Sequence, residues 1–326
     1  RRFYITEGGG YHKDCIEIFD ETNTGDPQVL EEFILWGMER YPAFRYALVI
    51  WNHGGGWWDE PERAKRNIAY DDSFGGDSLD NQELKNVLSR VSQKRGDKID
   101  ILGMDACLMA MVEVAYQLRD SVKIAVGSEE EEPFEGWPYD QVLEILKNRP
   151  RLGTATVGRY IAKEYISSYR EKREDVTQSV LNLYKIDNVV FRLDELSQEL
   201  IMSLEDEEVL KVILYARENS PEFFYGNYID LYRFVQLIGN GCDREVIKEK
   251  ADKLLMSLKP GTKQAVIYQR HLGRRLKHTH GLSICFPLSE VNPKYCDLDF
   301  YRDCKWGEFL EKYLISRREY GVVESI

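Results

Sequence analysis

The chain has 326 residues, 43% hydrophobic and 12% aromatic, which is enough apolar material for a sizeable core and excludes a disordered polymer. A formal charge of −12 leaves no global basic field for nucleic acid, and the densest acidic run, Glu129–Glu132, favours cationic partners instead. No apolar run reaches the roughly 18 to 20 residues that would span a bilayer, so no membrane segment is expected.

The opening, Arg1-Arg-Phe-Tyr-Ile, has no signal-like apolar stretch and begins in mid-pattern. A leader or first strand is therefore expected to lie outside this sequence, and the compartment is unknown. Asp26 to Met38 reads as a helix, with Pro27 at its first position and Leu30, Phe33, Ile34 and Met38 on one face. A strand then runs from Tyr46 to Trp51 and breaks at Asn52-His53-Gly54-Gly55-Gly56. Residues 59–67 are polar, with Pro61, Arg63, Lys65 and Arg66, the composition of an exposed loop.

Asp80 and Glu83 have the spacing of a capping box ahead of a helical stripe at Leu84, Val87, Leu88 and Val91. A second strand, Ile99–Met104, ends near Cys107, and Leu108, Met111, Val112, Ala115 and Leu118 recur at helical spacing after it. The spacing predicts that the thiol stands at a strand-to-helix junction. A third strand, Val122–Val126, leads to an acidic loop that ends near Trp137. This alternation predicts an α/β fold whose mostly parallel sheet is flanked by helices. Beyond it, Thr154–Tyr169, Asn188–Leu204 and Glu207–Glu218 read as helices, while Ser179–Tyr184 and Gly281–Pro287 read as strands. The layout suggests a catalytic unit over residues 1–186 and a smaller α+β accessory region over 187–326.

Six cysteines show neither the density of a disulfide scaffold nor paired metal-ligand spacing, so no metal site is read from them. Only Cys107 has a reactive setting. A helix amino terminus beside its sulfur would favour thiolate, making it a nucleophile. His53, 54 residues earlier on a neighbouring strand, would serve as acid and base. The backbone N–H groups of Gly54 and Cys107 would receive the oxyanion. No third catalytic residue is identifiable.

The runs Trp51-Asn-His53-Gly-Gly-Gly-Trp57, Met104-Asp105-Ala106-Cys107-Leu108, Gly136-Trp137-Pro138-Tyr139 and His280-Gly281-Leu282-Ser283-Ile284 resemble the clostripain family of cysteine endopeptidases, within the caspase, legumain and gingipain group. The resemblance implies a caspase-like sandwich, a His53/Cys107 dyad, polypeptide substrates cut after Arg or Lys, and a secreted or cell-envelope setting. It also implies a zymogen activated by self-cleavage in the 59–68 segment, where Lys65 and Arg66 are the candidate sites.

A carboxylate at Asp105 suits a substrate guanidinium, which it can pair bidentately, although an Asp ahead of a helical stripe can equally be a helix cap. Glu129, Glu130, Glu135 and Asp140 are candidates for the second wall of that pocket. No cofactor is required. Calcium stays open because the acidic loop supplies oxygen ligands, but calcium-loop spacing is missing. Two other readings are a peptidase-like protein that binds peptides without cutting them and a serine esterase built on His53-Gly-Gly-Gly56 and Ser78. The second lacks a nucleophile elbow anywhere in the chain.

Overall fold

The computed structural model describes residues 1–57, 67–224 and 226–319. A short hairpin, β1 (Arg2–Phe3) and β2 (Cys15–Glu17), precedes α1 (Pro27–Arg40), β3 (Ala47–Trp51), the ribbon β4 (Ile68–Asp71) and β5 (Asp77–Leu79), α2 (Asn81–Arg95) and β6 (Ile99–Asp105). Then come α3 (Val112–Leu118), β7 (Val122–Gly127), α4 (Tyr139–Asn148), α5 (Thr154–Ser168) and β8 (Val176–Asn182). The remainder comprises α6 (Ile186–Met202), α7 (Glu207–Glu218), β9 (Glu222–Phe223), β10 (Tyr228–Asp230), α8 (Leu231–Gly241), α9 (Glu245–Leu258), β11 (Val266–Leu272), β12 (Ser283–Cys285), α10 (Asp299–Asp303) and α11 (Trp306–Glu319).

Local chemistry sets the helix starts. Asp26 accepts from the Gln28 N–H and Pro27 opens α1, while Asp80 and Glu83 form the reciprocal capping box of α2. Leu84, Val87, Leu88 and Val91 are then fully buried, each contributing roughly 1.5–3 kcal/mol of apolar burial.

The central sheet has the order β11-β8-β7-β6-β3. The strands β3, β6 and β7 run parallel, whereas β8 and β11 join antiparallel, so the sheet is mixed and its parallel part is the half that begins at β3. Side-chain alternation divides the core into two layers. On β7, Ala125 faces the layer shared with α2, α3 and α6, while Ile124 and Val126 face the layer of α5. A small antiparallel sheet, β12-β10-β9, lies in the second half of the chain.

Across residue 186, β11 hydrogen-bonds to β8 and α6 packs on α3. One apolar cluster extends from Ile34 to Leu314.

One expectation is overturned beside Cys107. The helix begins at Val112, not at Cys107, and Leu108 has φ +65°, which no right-handed helix accommodates. The cause is lateral pairing: the Leu108 N–H goes to Glu130 O (3.2 Å), and the Ala110 N–H goes to Ser128 O (2.8 Å). Val112, Ala115 and Leu118 lie on α3 as their spacing predicts, whereas Leu108 and Met111 are buried in the loop before it. Nor does Asp105 cap a helix, since it is the last residue of β6.

Candidate active site

Parallel pairing of β3 with β6 sets Trp51 level with Asp105, so the two chains leave the sheet side by side. That is the carboxyl edge where open α/β sheets place ligands. Beyond β3, the Asn52 N–H donates to Asp105 O (3.3 Å) and the Asn52 amide donates to Tyr70 O (3.0 Å). The His53 ring is exposed and meets the edge of Tyr70, with centroids 6.0 Å apart.

The glycines that follow have separate reasons. A side chain on Gly54 would put its Cβ 2.4 Å from Cys107 O, so this position allows the His53 chain to touch the nucleophile's backbone. Gly56 has φ +72°, and its Cβ would lie 2.4 Å from Met111 Sδ. Gly55 O accepts from the Tyr228 hydroxyl (2.8 Å), and Asn81 donates to Gly56 O and Trp57 O (3.0 and 3.1 Å). Trp57 is buried against Tyr295, 4.6 Å between ring centroids.

Cys107 is half-buried, and its Sγ accepts from the Glu132 N–H at 3.2 Å. Burial, with the Glu132 and Glu131 carboxylates adding to it, pushes the thiol up to about 11, against the pull of the Glu132 N–H. The expected helix-dipole activation is therefore withdrawn. The α3 helix is seven residues long and starts five positions after the sulfur, beyond the first-turn range of a dipole.

A cavity of about 270 Å³ opens here, its wall including His53, Asp105, Cys107 and Glu132, with Trp51 and Phe134 beside them. Asp105 is buried, and its Oδ2 accepts from the Trp137 N–H (3.0 Å) and the Tyr139 hydroxyl (2.6 Å). Its Oδ1 is buried and receives no N–H or hydroxyl from the described residues. Glu132 stands next to it and accepts from Trp137 Nε1 and Gln178 Nε2, both at 3.1 Å. Burial, then the Asp105 charge and a hydrogen bond to it, hold the Glu132 carboxyl well above the usual carboxylate range. Together they form a pair of neighbouring carboxyl groups on the cavity wall, in which charging Glu132 is disfavoured. Gly136 (φ +61°) closes over this pair, since a Cβ there would meet Asp105 Oδ2 at 2.7 Å and Trp51 Nε1 at 2.9 Å.

The structure thus brings together His53, Gly54, Asp105 and Cys107, and adds Glu132. The other acids expected in the pocket wall lie elsewhere. Glu129 is buried and accepts from the Gly281 N–H, and Glu130 pairs with Arg275. Glu135 is exposed 3.6 Å from Lys172, and Asp140 is exposed on the first turn of α4. Adjacent residues of an extended loop point in different directions, so charge density did not reveal which glutamate faces the cavity. The Gly136-Trp137-Pro138-Tyr139 run was a usable signal, because its Trp137 and Tyr139 are the groups that hold Asp105 and Glu132.

Lys65 and Arg66 lie outside the described residues. Ser78 is buried in β5 and is not part of the cavity wall. The glutamates of the acidic loop are directed to separate partners, and among the described residues no group of three or more His, Cys, Asp or Glu side chains is placed to hold a metal ion. No helix among the described residues is long and apolar enough to cross a membrane.

The sequence model of the clostripain family matches residues 5–313. Clostripain of Hathewaya histolytica is 34% identical over 135 residues, which cover 39% of this chain and a quarter of that protein's length. A secreted C11 cysteine protease of Bacteroides thetaiotaomicron, solved with an irreversible peptide inhibitor, superposes with a TM-score of 0.67 at 21% identity, covering 90% of this chain and 82% of that one. An inactive zymogen C11 protease of Parabacteroides distasonis gives a TM-score of 0.64 at 21% identity, covering 89% and 79%. At these identities the superpositions show the fold, which is the caspase-like α/β arrangement expected from sequence.

Proposed function

Because the chain belongs to the clostripain family, we propose that it is a cysteine endopeptidase that cuts after Arg, with Lys tolerated, using Cys107 as nucleophile and His53 as acid and base. The observation that carries this reading is one cavity whose wall includes a thiol, an imidazole and two carboxyl groups, the buried Asp105 and the half-buried Glu132. A guanidinium can make a bidentate contact with Asp105 through two parallel hydrogen bonds, and an ammonium cannot. Trp51 and Phe134, in edge contact at 6.1 Å, would flank the aliphatic stem.

In the first half-reaction Cys107 passes its proton to His53, and Sγ attacks the scissile carbonyl carbon. The N–H groups of Gly54 and Cys107 receive the oxyanion. The C–N bond breaks as His53 returns the proton to the leaving amine, and a thioester remains. Water then adds to the thioester with its proton taken by His53, and that proton goes to Sγ as the C–S bond breaks. Burial is the main cause of the raised thiol pKa, and a cation seated on the acid pair would offset only the smaller part contributed by the Glu132 carboxylate.

Self-cleavage after Lys65 or Arg66 belongs to the same reading, being a cut after a basic residue in this chain. A mass spectrum showing one intact chain in a fully active sample would remove it. A peptide-binding protein without turnover is the second reading, favoured by the same raised thiol pKa. The test is hydrolysis of paired fluorogenic peptides ending in Arg, Lys, Asp or Leu, beside Cys107→Ala. Turnover after Arg or Lys that vanishes in the variant supports the peptidase. No turnover, with Cys107 resistant to alkylation even when an Arg peptide is present, supports the binding protein.

A further inference from the structure

The His280-Gly281-Leu282-Ser283-Ile284 run has no part in the mechanism above, yet it is built into the support of the nucleophile. The Ser283 N–H donates to Ala110 O (2.9 Å), its hydroxyl donates to the same oxygen (3.2 Å), and Ser283 bridges Met111 in parallel. On the other side, residues 128 and 130 accept from Ala110 and Leu108. The loop from Cys107 to Met111 is therefore clasped between the end of β7 and the start of β12.

Glu129 joins the two jaws of this clasp. Its Oε2 accepts from the Gly281 N–H (2.8 Å) across 152 residues of sequence, while its Oε1 is buried, receives no N–H or hydroxyl from the described residues, and lies within electrostatic reach of the Asp230 carboxyl. Asp230 is fully buried, caps α8 by accepting from the Arg233 N–H (2.6 Å), and receives the His280 N–H, with His280 Nδ1 at 3.2 Å. Tyr232 stacks on the His280 ring at 4.2 Å. Gly281 (φ +98°) has room for no side chain, since a Cβ would sit 2.7 Å from Ser179 Oγ. Burial, with the neighbouring Asp230 carboxyl adding to it, holds the Glu129 carboxyl well above the usual carboxylate range, which leaves it a proton to offer Asp230.

We propose that Glu129 and Asp230 are positioning residues, a buried carboxyl pair through which the second half of the chain sets the geometry of the Cys107 loop and so the reactivity of the thiol. The inference rests on the peptidase reading only for its effect on turnover; its effect on thiol reactivity stands apart. The groups facing the pair are His280 on its own segment, Arg233 on α8, the Glu130–Arg275 ion pair, and His271 and His278 within electrostatic reach. Loss of the Glu129 proton at high pH leaves two buried carboxylates that repel, which separates the jaws.

The test uses Glu129→Gln and Glu129→Leu in the full chain, with iodoacetamide labelling of the Cys107 peptide followed by mass spectrometry, and kcat and KM for an Arg peptide. A Gln side chain can accept from Gly281 and donate to Asp230 with no proton to lose. It is expected to stay within about twofold of wild type near neutral pH and to exceed it at high pH. The Leu variant is expected to lose on the order of 10²-fold in kcat, as a displaced catalytic group does, with KM nearly unchanged and Cys107 labelling altered. Gln as damaging as Leu, a change confined to KM, or no change in labelling at any pH would each overturn the proposal. Should the Leu variant fail to fold, the Gln variant's pH profile decides alone. Labelling is measurable without peptide turnover, so a failed peptidase reading and a failed positioning role give different results.

Discussion

One acidic loop feeds two carboxyl pairs with opposite surroundings. Asp105 and Glu132 form part of the wall of a cavity shared with Cys107, whereas Glu129 and Asp230 are sealed beneath the nucleophile loop with Gly281 and His280 as partners. In both pairs burial, with the partner carboxyl adding to it, raises the glutamate well above the usual carboxylate range. The first adjoins a cavity, and each pair keeps one buried carboxyl oxygen that receives no N–H or hydroxyl from the described residues. The contrast teaches that proximity of acids marks a binding site only where an unfilled space adjoins them; where packed chain closes over them, the same chemistry is a fastening.

The largest effect expected from breaking this contrast is at Asp105. Removing one member of a buried charged recognition pair costs about 3–5 kcal/mol, so Asp105→Asn should lower kcat/KM for Arg peptides by at least about 10²-fold while leaving the far-ultraviolet circular dichroism unchanged. A loss equal for Arg and Leu peptides would mean that Asp105 does not read the cation.

Glu113 supplies a third case, a buried carboxyl that belongs to neither pair. Its Oε1 accepts from the Cys285 N–H (2.9 Å) and the Tyr295 hydroxyl (2.7 Å), and burial raises it to about 7 from an ordinary 4.5. The folded protein holds this proton more tightly than the unfolded chain does. Its contribution to stability is therefore complete below the unfolded pKa and is lost as pH rises toward 7, on the order of 3 kcal/mol. Glu113→Gln can keep both hydrogen bonds through its amide oxygen and has nothing to ionise, so urea unfolding should show the variant gaining on wild type by about that amount between pH 4.5 and 8. Parallel curves would refute the assignment.

At Glu132 the effect is smaller and depends on pH. Its folded pKa is raised, so it carries a proton in the empty site at low pH and becomes a second anion as pH rises. KM for an Arg peptide should fall with rising pH in wild type and stay flat in Glu132→Gln, with the two differing about tenfold at the alkaline end, a gap of about 1.4 kcal/mol. An unchanged slope in the variant would locate the titration elsewhere. Smallest of all, Glu135→Ala and Asp140→Ala alter exposed side chains outside the cavity wall and should leave kcat/KM within about twofold. A tenfold loss at either would return it to the list of substrate contacts.

Sequence reading located His53 and Cys107 because each interrupts an apolar strand, and the parallel neighbours β3, β6 and β7 were visible in the same way. It missed β11 because Gln269, Arg270 and His271 dilute the apolar signal of an edge strand that is only partly buried. The ribbon β4 and β5 was hidden in short polar segments. The Leu108–Met111 error had a different origin: periodicity reports which side chains are buried, and hydrogen bonds to Ser128, Glu130 and Ser283 decided the backbone. Glu132 was invisible as an individual because nothing within the run of four glutamates distinguishes it.

The seating of Gly55, Gly56 and Trp57 on Tyr228, Asn81 and Tyr295 bears on what a nick downstream of Trp57 would do. The upstream fragment carries β3, which is hydrogen-bonded along its length to β6, and Trp57, which is embedded among residues from the far end of the chain. Two polypeptides produced by a cut between Trp57 and Asn67 would migrate as one particle in native sizing and separate only in denaturant.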